Sequence, residues 1–312
     1  MSAMSLTLGP ILFNWPAADW IDFYCRIAEE ASIDRVCVGE IVCSKRWPFL
    51  KGCIPEVVEL LARAGKTVVL SLPIMPTLER ERRSIHEILK IPNVVVEAND
   101  ISALAGLAGK PHAIGPFINT YNESTLRFLA KNGATHVCLP PELPMTSIRA
   151  LAATNVPLEV WAWGRVPLSI SARCYHARLH HRSKASCRFV CGNDPDGRMV
   201  EDLDGRRFLA INGVQTLSHS FCNLIGDVDG LAAAGVRSLR LSPHTGDMIA
   251  VTRLFRDVID CRISAQGAAR RLQELMPSTN FCNGFLHGRP GWELVGVELE
   301  AHTRDAAAGR PC

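Results

Sequence analysis

The stretch THVCLPPELPMTSIRALAATNVPLEVWAW, residues 135–163, reads as strand, helix and strand in succession. Thr135–Leu139 and Leu158–Trp163 are short and almost continuously apolar, as strands covered on both faces must be. Met145–Ala153 between them is the helix of the unit. Strands joined this way run parallel, because the helix carries the chain back to the starting edge.

The alternation continues outward. Upstream, strands are expected at Leu6–Phe13, Arg35–Val38, Thr67–Leu72, Asn93–Glu97 and, weakly, His112–Ile114. Helices are expected at Ala17–Ala31, Pro55–Ala64, Leu78–Lys90, Asp100–Ala108 and Glu123–Lys131, with Gly65 closing the second. Downstream the rhythm breaks, with Arg206–Ile211 reading as a hairpin strand inside the break. It resumes with a helix at Phe221–Ala234, a strand at Ser238–Ser242 and a long helix at Asp247–Cys261. Eight strands alternating with helices predict a (β/α)8, TIM-barrel-like α/β fold. An open doubly wound sheet is the alternative, and it is weakened because no G-x-G-x-x-G follows the first strand. Residues 1–305 read as one domain with an insertion at about 171–205, and 306–312 as a flexible tail.

Of the 312 residues 47% are hydrophobic, enough for a sizeable core, and the net charge of +3 does not mark a general nucleic-acid binder. The N-terminus has neither the basic region nor the apolar run of a signal peptide. No stretch approaches the ~18 apolar residues of a membrane helix. A cytoplasmic protein is expected, so the 12 cysteines are not expected to form disulfides. Cys37 and Cys138, inside apolar runs, read as core thiols, and Cys53, Cys222 and Cys261 as buried or half-exposed ones.

The break holds the most unusual segment, Ser171–Cys191, SARCYHARLHHRSKASCRFVC. Cys174, Cys187 and Cys191 are spaced C-x12-C-x3-C among five Arg and Lys residues, three histidines and no acid. So little apolar material calls for another ordering agent, and a metal centre is the simplest. Three thiolates leave such a site one ligand short. Cys43, after the second strand, is the obvious fourth; Cys282 in a polar, turn-like segment is its rival. Loops that follow barrel strands share one face, so Cys43 and the three cysteines after the seventh strand can meet there. Scattered ligands and cationic neighbours such as Lys45, Arg46, Arg173 and Arg178 suit an iron–sulfur cubane better than zinc, without excluding zinc. Glu40 and Glu97, at strand ends, read equally as catalytic groups or as partners of arginines. His180 and His181 read as a solvated face. Arg240, inside an apolar strand, needs an acidic or ligand partner if buried.

GEIVCSKR at Gly39–Arg46 and SARC at Ser171–Cys174 resemble the ubiquinone-biosynthesis branch of the collagenase-like U-family peptidases. The resemblance spans nearly the whole chain, through Leu8–Leu12, Asn119–Asn122, Pro167–Leu168, Leu209–Thr216, Arg240–Pro243 and Cys282–Gly284. It implies a barrel-like fold and a [4Fe-4S] cluster held by Cys43, Cys174, Cys187 and Cys191. It further implies a heterodimer with a UbiU-like protein, and a UbiT-like lipid-binding accessory protein. The implied activity is oxygen-independent hydroxylation of a quinone precursor, with prephenate as oxygen source. Relatives that hydroxylate RNA bases or are classed as peptidases give alternative readings, and a non-catalytic scaffold stabilised by its cluster gives another. No peptidase nucleophile with a nearby base stands out, and there is no H-E-x-x-H.

Overall fold

The computed structural model describes residues 4–91 and 94–296. Asn93, the expected start of the fourth strand, and the expected flexible tail lie outside the described residues. The chain begins with β1 (Ser5–Leu8), α1 (Ala17–Glu30), β2 (Arg35–Val38), α2 (Trp47–Leu50), α3 (Ile54–Arg63), β3 (Thr67–Ser71) and α4 (Glu79–Ile88). It continues with β4 (Val95–Ala98), α5 (Leu104–Leu107), β5 (His112–Ile114), α6 (Glu123–Lys131), β6 (Ala134–Cys138) and α7 (Met145–Ala152). The long β7 (Leu158–Ile170) leads to α8 (Tyr175–Leu179), β8 (Arg198–Glu201), β9 (Arg207–Asn212) and β10 (Gln215–Asn223). Last come α9 (Val228–Ala233), β11 (Ser238–Leu241), α10 (Met248–Ile259), α11 (Ala265–Leu275) and β12 (Phe281–Cys282).

Strands β1 to β7 pair in parallel in chain order, and β11 closes the ring by pairing with both β1 and β7. The result is the expected closed barrel of eight parallel strands. Helix ends follow local chemistry. Pro55 occupies the first turn of α3, where no amide is needed. The Asn122 Oδ1 accepts the Thr125 amide at 2.9 Å and caps α6, and Asp247 caps α10 through Ala250 at 3.0 Å. The main core lies between strands and helices, where Leu6, Leu8, Ile27, Val36, Leu61 and Phe255 are buried. Each such side chain contributes about 1.5–3 kcal/mol of transfer free energy.

The barrel lumen is polar instead. Arg240 on β11 donates to Glu97 on β4, across the ring, at 2.6 and 3.2 Å, and also to Glu159 on β7. Glu159 further accepts from Ser238 at 3.0 Å and bonds His136 at 2.9 Å. Arg240 therefore has the acidic partners that its burial demanded, and Glu97 is one of them.

The expected helix at Phe221–Ala234 is corrected. Phe221–Asn223 ends β10, and α9 covers only Val228–Ala233. Pairing of Phe221–Asn223 with β7 and β12 captures backbone groups that a helix would have used internally. The expected hairpin strand exists as β9, between β8 and β10. The elaboration is wider than 171–205, because the outer half of β7 already pairs antiparallel with β10. The turn-off point is Gly164, at φ +105°, where an added Cβ would lie 2.7 Å from the Ser242 Cβ. No expectation covered α11.

Candidate functional site

Cys43, Cys174, Cys187 and Cys191 lie within electrostatic reach of one another beyond the C-terminal ends of β2 and β7. The loop after β2 places Cys43. Its first residue, Gly39, passes so close to β3 that an added Cβ would sit 2.5 Å from the Ser71 carbonyl oxygen. Glu40, buried at the loop's base, accepts the Val42 and Cys43 amides, both at 2.8 Å, and pairs with the Arg46 guanidinium at 3.3 Å. Burial raises the Glu40 carboxyl pKa, against the pull of Arg46 and those amides.

The insertion supplies Cys174 at the start of α8, and Cys187 and Cys191 further on. Between the last two, Arg188 and Phe189 both adopt left-handed backbone, with φ of 48° and 54°. Two successive non-glycine residues there are costly and persist only where the surroundings hold them. The holding contacts are visible. Lys45 donates to the carbonyls of Lys184 at 2.8 Å and Ala185 at 2.9 Å, and to the Cys187 Sγ at 3.4 Å. Phe189 packs edge-on against Phe49, and Trp15 donates to the Pro195 carbonyl at 2.8 Å. His176, buried in α8, accepts the Gly213 amide on Nδ1 at 3.0 Å and therefore donates from Nε2 to Asp194 at 2.9 Å.

The thiols act on one another. Burial raises the Cys174 pKa, Cys43 and Cys187 raise it further, and Lys184 opposes them. Burial pushes Cys191 up to about 11, with Arg46 lowering it and Cys174, Cys43 and Cys187 raising it. Arg46 spends Nη1 on the Leu12 carbonyl at 3.1 Å, but its Nη2 is buried with no hydrogen-bond partner among the described residues. Burial lowers the Arg46 pKa, but Glu40, Cys191 and Cys43 raise it overall, Cys43 also as a hydrogen-bonding neighbour of the guanidinium. No three His, Cys, Asp or Glu side chains among the described residues are drawn together tightly enough for a single metal ion. Cys282 does not belong to this group: it lies with Cys222 in an apolar pocket lined by Leu139 and Leu286. Of the cations expected around the thiols, Lys45 and Arg46 act on them directly, and Arg173 and Arg178 line a cavity of about 490 Å³ together with Cys174. All the described cysteines are unpaired, including the exposed Cys261.

A second constellation lies nearby at the barrel mouth. The segment after Cys191, Asn193–Gly197, walls a cavity of about 340 Å³ with Arg165, His219, Phe221 and Asn280. Arg165 donates to the carbonyls of Asp196, Ser218 and His219, stacks over the Phe221 ring at 4.7 Å, and has no carboxylate at ion-pair distance among the described residues. Burial brings its pKa down to about 10, Asp196 opposing. His244, after β11, packs against Trp163 and Phe221 and accepts the Gly246 amide on Nδ1 at 2.9 Å. Its buried Nε2 has no partner among the described residues. Sequence reading missed this group, whose one signal is an arginine just past the apolar run of β7. Ser238 and His136 both bond Glu159 inside the barrel rather than each other, so they form no hydrolytic pair.

The family model described as peptidase family U32 matches residues 24–295. The chain belongs to that family. Among solved structures, it is similar to a truncated form of 3-deoxy-D-arabino-heptulosonate 7-phosphate synthase from Thermotoga maritima, with 11% identity, 89% of each chain covered and a TM-score of 0.44. No helix among the described residues is long and apolar enough to cross a membrane.

Proposed function

We propose that the chain is the iron–sulfur subunit, of the UbiV type, of an oxygen-independent hydroxylation system in ubiquinone biosynthesis. It acts as a heterodimer with a UbiU-like partner, served by a UbiT-like lipid-binding protein. The observation that carries this reading is the mutual proximity of Cys43, Cys174, Cys187 and Cys191 beside the buried Arg46 guanidinium. An all-sulfur donor set from scattered positions suits a [4Fe-4S] cluster, whose iron atoms take thiolate ligands. When bound, the cluster supplies one-electron redox capacity and order to the insertion. The protein's part is electrostatic and positional. Lys45 and Arg46 offset negative charge at the thiolates, and Glu40 fixes the backbone that presents Cys43. At the mouth cavity, Arg165 binds a carboxylate of the oxygen donor, prephenate, and Phe221 walls the pocket beside it.

The test is anaerobic co-expression with a UbiU-like protein, followed by size exclusion and assay of the hydroxylated quinone precursor with prephenate. A heterodimer that forms product is expected, with Arg165→Gln raising the KM for prephenate. A monomer turning over the precursor alone, or a heterodimer inert with prephenate, contradicts the reading.

A further inference from the structure

From Val160 to Asn193 the chain carries no acidic residue. Within that span Arg173, Arg178, Arg182 and Lys184 line one concavity of about 490 Å³. None of these cations pairs with a carboxylate among the described residues. A surface kept basic only for solubility intersperses acids to relieve repulsion, and this one does not. Backbone contacts hold the arrangement in place. The amides of Arg178 and Arg182 donate to the carbonyls of Cys174 at 3.2 Å and Ala177 at 2.8 Å, while His181 turns the chain at φ 54°. Lys45 anchors the far side through the Lys184 and Ala185 carbonyls. The backbone is tied down and the cationic ends are left free. Neighbouring anionic groups engage one of the four, since Lys184 acts on Cys174 and on Glu81, whereas Arg46 is the main cation acting on Cys191.

We propose that this concavity is a binding site for a small ligand carrying two or more adjoining phosphates. Guanidinium groups meet phosphate oxygens through paired donors, and a diphosphate places several negative charges within reach of all the cations. One carboxylate would neutralise only one of them. Cys174 also lines the concavity, so the site adjoins the proposed cluster, while its cations belong to the chain itself and are present without metal.

Isothermal titration of the metal-free protein with sodium pyrophosphate, and separately with sulfate, tests the proposal. Pyrophosphate should bind more tightly than sulfate, and bound pyrophosphate should slow trypsin cleavage at Arg178, Arg182 and Lys184. Arg178→Gln or Arg182→Gln should each weaken binding about tenfold to a hundredfold, the loss expected for a charge-assisted hydrogen bond. Arg178→Lys should restore part of it. Arg270→Gln/Arg271→Gln, which removes two exposed cations elsewhere, should change nothing. Three results overturn the proposal: no pyrophosphate binding at low ionic strength, equal weakening in the distant control, or binding of an oligoribonucleotide alone. The trypsin readout on the unmodified chain decides the matter if a variant fails to fold.

Discussion

Replacing Arg46 by Met should be among the most damaging single changes near the cysteines. Arg46 is 2% exposed, and its ion pair with Glu40 is equally sealed. The substitution leaves a buried carboxylate without its cation, a defect that costs about 3–5 kcal/mol. Loss of the bond to the Leu12 carbonyl adds to it. Against a total stability of about 5–15 kcal/mol, that is a large share. The deficit should also depend on pH. Burial already raises the Glu40 pKa, and without Arg46 it rises further. Such a group destabilises the folded state most above its folded pKa, and the penalty fades as pH falls through that value and the carboxyl takes up its proton. Urea unfolding of the metal-free protein at neutral and mildly acidic pH measures both effects. Adding Glu40→Gln to Arg46→Met should recover much of the loss. A cost below about 1 kcal/mol, or a deficit unchanged by pH and by Glu40→Gln, would refute this account of the pair.

Three other expectations are independent of one another. Arg240→Met strands Glu97 and Glu159 together in the barrel, so a loss of about 5 kcal/mol is expected in urea unfolding, with Arg240→Lys milder. Burial lowers the His244 imidazole from 6.5 to about 4. The unfolded chain therefore takes up a proton that the folded chain refuses, and about 3 kcal/mol of stability, present above pH 6.5, is lost as pH falls toward 4. His244→Gln should flatten that part of a stability–pH curve. Lys45→Met removes the insertion's tie to the loop after β2, and trypsin should then cut faster at Arg182 and Lys184 with the barrel left intact.

The barrel was legible because its strands are buried on both faces, and an apolar run such as Leu158–Trp163 records that burial locally. The proximity of Cys43 to Cys174, Cys187 and Cys191 was foreseeable from the rule that loops after strands share a face. What sequence reading missed depends on barrel closure. His136, Glu159 and Ser238 meet only because β11 lies beside β7, a neighbour relation that no local pattern encodes. Phe221 and Cys222 look helical in isolation, but β7 and β12 offer them pairing partners. Arg165 and His244 escaped notice because each is an isolated polar residue at the end of an apolar strand. Their environment comes from β10 and the segment after Cys191.

The most direct test of the four-cysteine centre is the iron and sulfide content of the chain after anaerobic reconstitution. About four of each per chain are expected, with a broad visible absorbance that bleaches in air. Alanine at Cys43, Cys174, Cys187 or Cys191 should lower the iron bound, whereas Cys282→Ala should not. Full iron retention in Cys174→Ala, or no iron in the unmodified protein, would contradict the account.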